Sequence, residues 1–434
     1  MPSAEPSTPV AAAPPAYERK LVRPTFRRRA QWHLETWAYT GIEFLLGSLP
    51  AVTVSSLGRA LGGFAHMAAK SRRRIVMRNL RIAFADERSA GELETLGREV
   101  FKRAGANLLS ALRTARLNET ELAKTVRVEN LHYIAEATVG GKGLIMVLAH
   151  MGNWEALAQW LPKMIPPGMP AADIYRPLNN PILDARINAS RLRQGLRLFS
   201  KDQSPLAMAS FLRNRGGLGI MSDQRAGRGG ELVPFFGRLT SGTPLPAVLA
   251  RRTGAAVLGL SLRTIAAGRW ELKLHKLDGE PTTGNVMALV ERMMRESPAD
   301  VFWLQDRWRI EKRTPHIVPG KIPRAGSETS TNTKRRRALL WADASGAVPA
   351  RPAAEPADLD YEAALPEGAE APKGVTKLWI RETLAAETPT IFLNRVNQGA
   401  ALPLDFVVTG PQAGEAVREA CKKLGLGWMS AASA

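Results

Sequence analysis

The sequence predicts an α/β fold, a mixed and largely parallel sheet flanked by helices. Three observations carry this reading. Gly143-Leu-Ile-Met-Val-Leu-Ala149 is an unbroken apolar run after the Gly140-Gly141 pair, as in a strand covered on both faces. Similar runs recur at residues 217–221 and 255–262. Between them the apolar spacing turns helical, at 153–161, 205–213, 243–252 and 286–295. Strands that alternate with helices in this way build parallel sheets with crossover helices.

The elements follow in order. Residues 1–18 are rich in Ala and Pro, lack the apolar core of a signal peptide and are expected to be disordered. Residues 19–69 open with a basic arm (Arg27, Arg28, Arg29) and carry Trp32, Trp37 and Tyr39. The uncharged stretch 44–58 is shorter than the roughly 20 residues a bilayer crossing needs, so N-terminal membrane-associated helices lying on the surface are expected. From 70 to 126 the pattern is helical, with Leu93, Leu96, Val100, Leu108 and Leu112 near the 3.6 period. A sheet domain continues to 320, giving a unit of 70–320. Within it Trp270–Leu277 alternates apolar and polar, as a half-exposed edge strand does.

Residues 321–374, which include Lys334-Arg-Arg-Arg337, read as a partly disordered linker. A small C-terminal α/β appendage of unknown role, 375–434, is expected to hold strands at 376–381, 390–396 and 405–408 and a helix at 412–424. Charge supports the division. The 434-residue chain has a formal charge of +20, made of +24 up to Arg337 and −4 beyond it. The positive part calls for an acidic partner: nucleic acid, an anionic membrane surface or an acidic protein. A single cysteine, Cys421, excludes internal disulfides and Cys-based zinc sites, and six unpaired histidines point to no metal.

The chemistry centres on His150-Met-Gly-Asn-Trp-Glu155. His150 falls where a buried strand ends and Glu155 in the first turn of the next helix. Gly152 and Asn153 supply the turn that lets the carboxylate bind one ring nitrogen and leave the other free as a base. Amides of the same turn offer a place for an oxyanion or a phosphate. The spacing alone is weak, since His275-Lys-Leu-Asp-Gly-Glu280 has it too, but there no helix follows to aim the carboxylate. Arg176, biased to extended backbone by Pro177, suits a phosphate clamp, and Asp223 follows a buried strand, where open sheets bind ligands.

Ala149-His-Met-Gly-Asn-Trp-Glu155 resembles the first block of the bacterial lipid A biosynthesis acyltransferases, the lauroyl/myristoyl branch of the lysophospholipid acyltransferase superfamily. Further blocks agree in order: Ile174-Tyr-Arg-Pro-Leu-Asn-Asn-Pro181 with Arg191-x-Arg193, Met221-Ser-Asp-Gln-Arg-Ala-Gly227, Val233-Pro-Phe-Phe-Gly237, and Trp303-Leu-x-x-Arg307-Trp-Arg309. The last departs from the family's common Leu-His-Arg-Arg, reading Leu304-Gln-Asp-Arg307. The resemblance spans about residues 32 to 315. It implies transfer of a fatty acyl chain from acyl carrier protein to a hydroxyl of an anionic glycolipid, a lipid A precursor, at the cytoplasmic face of the inner membrane, without a cofactor. His150 and Glu155 would be catalytic, and Met151, Gly152, Asn153, Arg176, Asp223, Gln224, Phe236 and Gly237 would bind substrate. A lysophospholipid or mannolipid acceptor is the alternative. A non-catalytic basic protein for membrane or nucleic acid is the rival of another class, and no zinc finger, RNP motif or basic heptad supports nucleic acid.

Overall fold

The computed structural model describes residues 24–192, 195–323, 333–351, 358–382, 387–411 and 414–430. The expected disordered segment 1–18 and parts of the expected linker, 324–332 and 352–357, lie outside them.

Among the described residues four helices come first: α1 (Phe26–Ser48), α2 (Ala51–Ala68), α3 (Lys70–Phe84) and α4 (Ala90–Thr114). Thr25 caps α1, and a Ser89–Glu92 capping box starts α4. Glycines let α2 and α4 touch backbone to backbone: a Cβ at Gly62 would lie 2.1 Å from the Phe101 carbonyl oxygen. The outer sides of α1 and α2 leave Phe26, Trp37, Phe44, Val52, Phe64 and Met67 exposed. Among the described residues no helix is long and apolar enough to cross a membrane.

There follow α5 (Glu119–Ala123), β1 (Val126–Glu129), α6 (His132–Ala137), β2 (Leu144–Leu148), α7 (Leu157–Met164), β3 (Ala171–Tyr175), α8 (Pro181–Leu192), β4 (Leu196–Ser200), α9 (Pro205–Arg213) and β5 (Gly217–Met221). A hairpin of β6 (Glu231–Phe235) and β7 (Arg238–Gly242) leads to α10 (Leu245–Thr253), β8 (Ala256–Ala266), β9 (Arg269–Lys276) and α11 (Thr283–Glu296). Among the described residues seven strands form one sheet in the order β1-β9-β8-β2-β5-β3-β4, parallel throughout except between β8 and β9. The expected α/β class is therefore met, with β2 fully buried at the centre. Trp270–Leu277 is not an edge, because the four-residue β1 pairs along β9 and covers it. So short a strand leaves little alternation to read.

The C-terminal unit has a second, all-parallel sheet in the order β12-β11-β10-β13-β14. Its elements are β10 (Arg336–Trp341), β11 (Leu359–Pro366), β12 (Lys377–Arg381), α12 (Pro389–Gln398), β13 (Phe406–Thr409), α13 (Gly414–Leu424) and β14 (Gly427–Ser430). Two corrections follow. The expected linker 321–374 contains β10 and β11, two of the three inner strands. Their charges looked like solvated loop but neutralise each other in the interior, Arg336 with Asp358 at 2.6 Å and Arg337 with Glu362 at 2.5 Å. Residues 390–396, expected as a strand, belong to α12. Thr388 caps it, Pro389 opens it, and Phe392, Leu393 and Val396 bury one face, which overrides the β-branched composition.

Candidate active site

The ladder between β2 and β5 pairs Leu148 with Met221. His150 and Asp223 each lie two residues past that last pair, so the parallel register brings them side by side. The His150 ring meets Asp223 through Nδ1 and Oδ1 at 2.6 Å. The other carboxylate oxygen accepts from Arg307 Nη2 at 2.6 Å, and both Asp223 and Arg307 are buried. At the far side of the ring, Gln224 Nε2 lies 3.2 Å from His150 Nε2. With a proton on Nδ1 facing Asp223, Nε2 keeps its lone pair and accepts from the Gln224 amide.

Electrostatics follow from this arrangement. Burial disfavours a charged imidazole, yet the adjoining Asp223 carboxylate outweighs it and holds the His150 pKa above its ordinary value; Arg307 works against this. Burial likewise opposes charge on Asp223, but His150 and Arg307 together keep it ionised well below the usual carboxylate range.

The turn after His150 is held from outside. Met151 is buried and bridges Val301, the Phe302 N–H donates to the His150 carbonyl at 2.8 Å, and the Gly152 N–H donates to the Asp300 carbonyl at 2.9 Å. Gly152 has φ +56°, and a Cβ there would stand 2.7 Å from the Leu262 carbonyl oxygen. Asn153 is buried and donates to Thr114 Oγ1 at 3.3 Å. The Gly152 amide, expected as an anion donor, is thus already used by the protein.

His150 opens into a cavity of about 1100 Å³. Leu108, Ala111 and Leu112 of α4, with Ala115 just after it, give it apolar lining, and Tyr39 and Glu43 of α1 also line it. Its polar lining includes Glu155, Asp173, Arg176, Arg186 and Arg191, with Arg186 on Glu43 at 2.5 Å. Arg176 is exposed, at a position suited to an incoming anion. Asp173, on β3, is held at a pKa of about 6, chiefly by burial.

Several expectations change. Glu155 does not touch His150. A 3-10 turn, Trp154–Ala156, carries its carboxylate to Arg191 at 2.7 Å and to the Trp154 indole at 3.2 Å, while the ring faces β5. Phe236 is fully buried against Phe84 and Trp303, and so packs in the core. Gly237 lies under Thr333 and Lys334, away from the cavity. Arg193 lies outside the described residues. The second His-x4-Glu is a structural feature: His275 is buried 2.8 Å from Ser261 Oγ, and burial pushes its pKa down to about 4. Asp173 and the Asp223–Arg307 pairing carried no local signal, since their partners are distant in the chain.

A strand-end histidine held by a buried carboxylate beside a partly apolar cavity has the geometry of a general base, and acyl transfer is one reaction it can serve. Comparison with known proteins agrees: residues 23–310 match the family model described as bacterial lipid A biosynthesis acyltransferase, and the chain belongs to that family. It is 26% identical over 299 residues to the lipid A biosynthesis lauroyltransferase of Escherichia coli, covering 66% of this chain and 94% of that enzyme. It is 24% identical over 206 residues to the phosphatidylinositol mannoside acyltransferase of Mycolicibacterium smegmatis, covering 46% of this chain and 67% of that one. With its Mycobacterium tuberculosis H37Rv namesake the identity is 28% over 242 residues, 52% and 72% of the two chains. The chain is an enzyme that transfers acyl groups, which sets aside the non-catalytic reading.

Proposed function

We propose that this enzyme moves a fatty acyl chain from an acyl carrier protein thioester to a hydroxyl of a lipid A precursor, with His150 as general base and no cofactor. His150 Nε2 takes the acceptor's hydroxyl proton as that oxygen attacks the thioester carbonyl. The tetrahedral intermediate then collapses, the C–S bond breaks, and the imidazolium returns the proton to the leaving sulfur. Asp223 fixes the tautomer and stabilises the imidazolium, and Arg307 holds Asp223. Gln224 stands on Nε2, where the acceptor hydroxyl would take its place. Glu155 acts from the cavity wall, pinning Arg191 and favouring the imidazolium through space. Arg176 and Arg191 suit the phosphates of the glycolipid, and the α4 wall suits acyl chain. We place α1 and α2 on the cytoplasmic face of the inner membrane, which accounts for their exposed apolar side chains beside Arg27, Arg28 and Arg29.

The observation that carries this reading is His150, with Nδ1 on Asp223 and Nε2 met by the Gln224 side chain, lining a cavity that also holds apolar α4 side chains and Arg176 and Arg191. The test is acyl transfer from acyl carrier protein by wild type and His150→Ala, with mass spectrometry of lipid A from cells with and without the gene. A loss of several orders of magnitude and a fixed mass difference of one acyl chain are expected. Full activity in the variant would overturn the mechanism. The mannoside acyltransferase relatives favour a mannolipid acceptor as second reading, and a mass change in that lipid alone would select it.

A further inference from the structure

The C-terminal unit lies beyond the stretch the family matches, yet polar contacts and short stretches of chain join it to the segment that carries Arg307, the partner of Asp223 beside His150. Asp405, just before β13, is fully buried. Its Oδ1 accepts from Arg78 Nη2 at 2.9 Å, and its Oδ2 accepts from Arg238 Nη2 and from the Arg337 N–H. Arg78 and Arg238 belong to the acyltransferase domain, on α3 and β7. Arg78 also donates to Asp306 Oδ1 at 3.1 Å, beside Arg307, and its neighbour Asn79 donates to the Trp303 and Gln305 carbonyls. Arg238 begins the strand from which Thr240 Oγ1 donates to the Arg307 carbonyl at 3.1 Å. Two of the contacts that hold the Arg307 segment are therefore gripped by one carboxylate of the C-terminal unit, while the guanidinium itself also donates to the Phe302 carbonyl and lies over the Trp303 ring.

Resting on His150 as the base proposed above, we infer that Asp405 is a positioning residue: through Arg78 and Arg238 the C-terminal unit keeps Arg307 on Asp223, and thereby sets the orientation and proton affinity of His150. Simple adhesion does not call for this arrangement. Burying a carboxylate between guanidiniums carries a large desolvation cost, so such a network is weak evidence for stability alone. The unit is fastened elsewhere as well, by Arg81 to the carbonyls of Asn397 and Ala400 and by Lys334 to those of Ile82 and Ala83. Those contacts do not run to Arg307, and they provide an internal control.

The test reads the titration of His150 in the full-length protein, by carbethoxylation across pH and peptide mass spectrometry, beside kcat and KM. The charged groups around the ring are Asp223 at the end of β5, Glu155 on the turn, Asp173 on β3 and Arg307 on the loop after Val301; Arg191 of α8 faces Glu155. Asp306→Asn and Asp405→Asn each remove a negative charge, so their direct field lowers the His150 midpoint. Release of Arg307 from Asp223 raises it, because the cation that opposes imidazolium withdraws.

The expected result for Asp306→Asn is a rise of roughly half a pH unit with kcat down about tenfold and KM within about twofold. Asp405→Asn does more, and Arg81→Met moves neither the midpoint nor kcat. A midpoint unmoved or lowered in folded Asp306→Asn, or a rise in Arg81→Met equal to it, overturns the inference. Asp306 is part-exposed, so this variant decides the matter even where Asp405→Asn does not fold. If wild type transfers no acyl chain, the proposed function falls, while the His150 titration still decides this inference.

Discussion

Replacing Asp223 with Asn is the sharpest test of how the site works. Arg307 Nη2 needs an acceptor at 2.6 Å and has nowhere else to aim while buried, so it claims the amide oxygen. The amide NH2 is left facing His150 Nδ1, where the carboxylate oxygen stood at 2.6 Å. Two losses follow. The ring adopts the opposite tautomer, with its proton on Nε2, where a base needs a lone pair. The imidazolium formed during transfer also loses a buried charge-assisted hydrogen bond of about 3 kcal/mol, alone worth ~100-fold in rate.

The sign on pH is equally defined. With the carboxylate gone, burial and Arg307 both disfavour the cation, so the His150 midpoint falls and the acid limb of kcat/KM moves to lower pH. The assay is steady-state transfer from acyl carrier protein between pH 5 and 9, with circular dichroism to establish that the variant is folded. A loss below about fivefold, or an acid limb displaced upward, would refute the role assigned to Asp223.

Other expectations concern stability and reactivity. Asp173 has its pKa lifted to about 6, above its unfolded value, so folding is penalised increasingly as pH rises through that interval and fully above it. Asp173→Asn keeps an acceptor for the Ile174 N–H and should gain about 1–2 kcal/mol at pH 8 but nothing at pH 4, measured by urea unfolding. Gly152→Ala, at φ +56° and with its Cβ 2.7 Å from the Leu262 oxygen, should cost about 2–4 kcal/mol and most activity, read from Tm and kcat. Burial pushes the Cys421 thiol up to about 12, so a disulfide reagent at pH 8 should label it only as the C-terminal unit opens, at a rate that rises with urea. Rapid labelling of the native protein would contradict its burial.

Much of the sheet was legible because β2 and β5 are covered on both faces, and such strands show as continuous apolar runs. His150 was legible for the same reason, as the first polar residue after one of them. Its partner was not. Glu155 is five residues away in sequence and Asp223 is 73, and only the β2–β5 register makes the distant carboxylate the near one. Phe236 was open to misassignment because adjacent aromatics look alike in a groove and in a core. The strands β10 and β11 were obscured by charges that pair with each other, and a pair formed across two strands leaves no periodic trace in either.

The equal offset of His150 and Asp223 from the Leu148–Met221 pair has a practical consequence for engineering. Lengthening the loops on the surface between these strands leaves the two groups facing each other. One residue inserted inside β2 or β5 shifts the partner by about 3.3 Å and turns it to the other side of the sheet. Grafting this machinery onto another protein would therefore mean transplanting both strands as a unit, with the histidine and carboxylate as their tips.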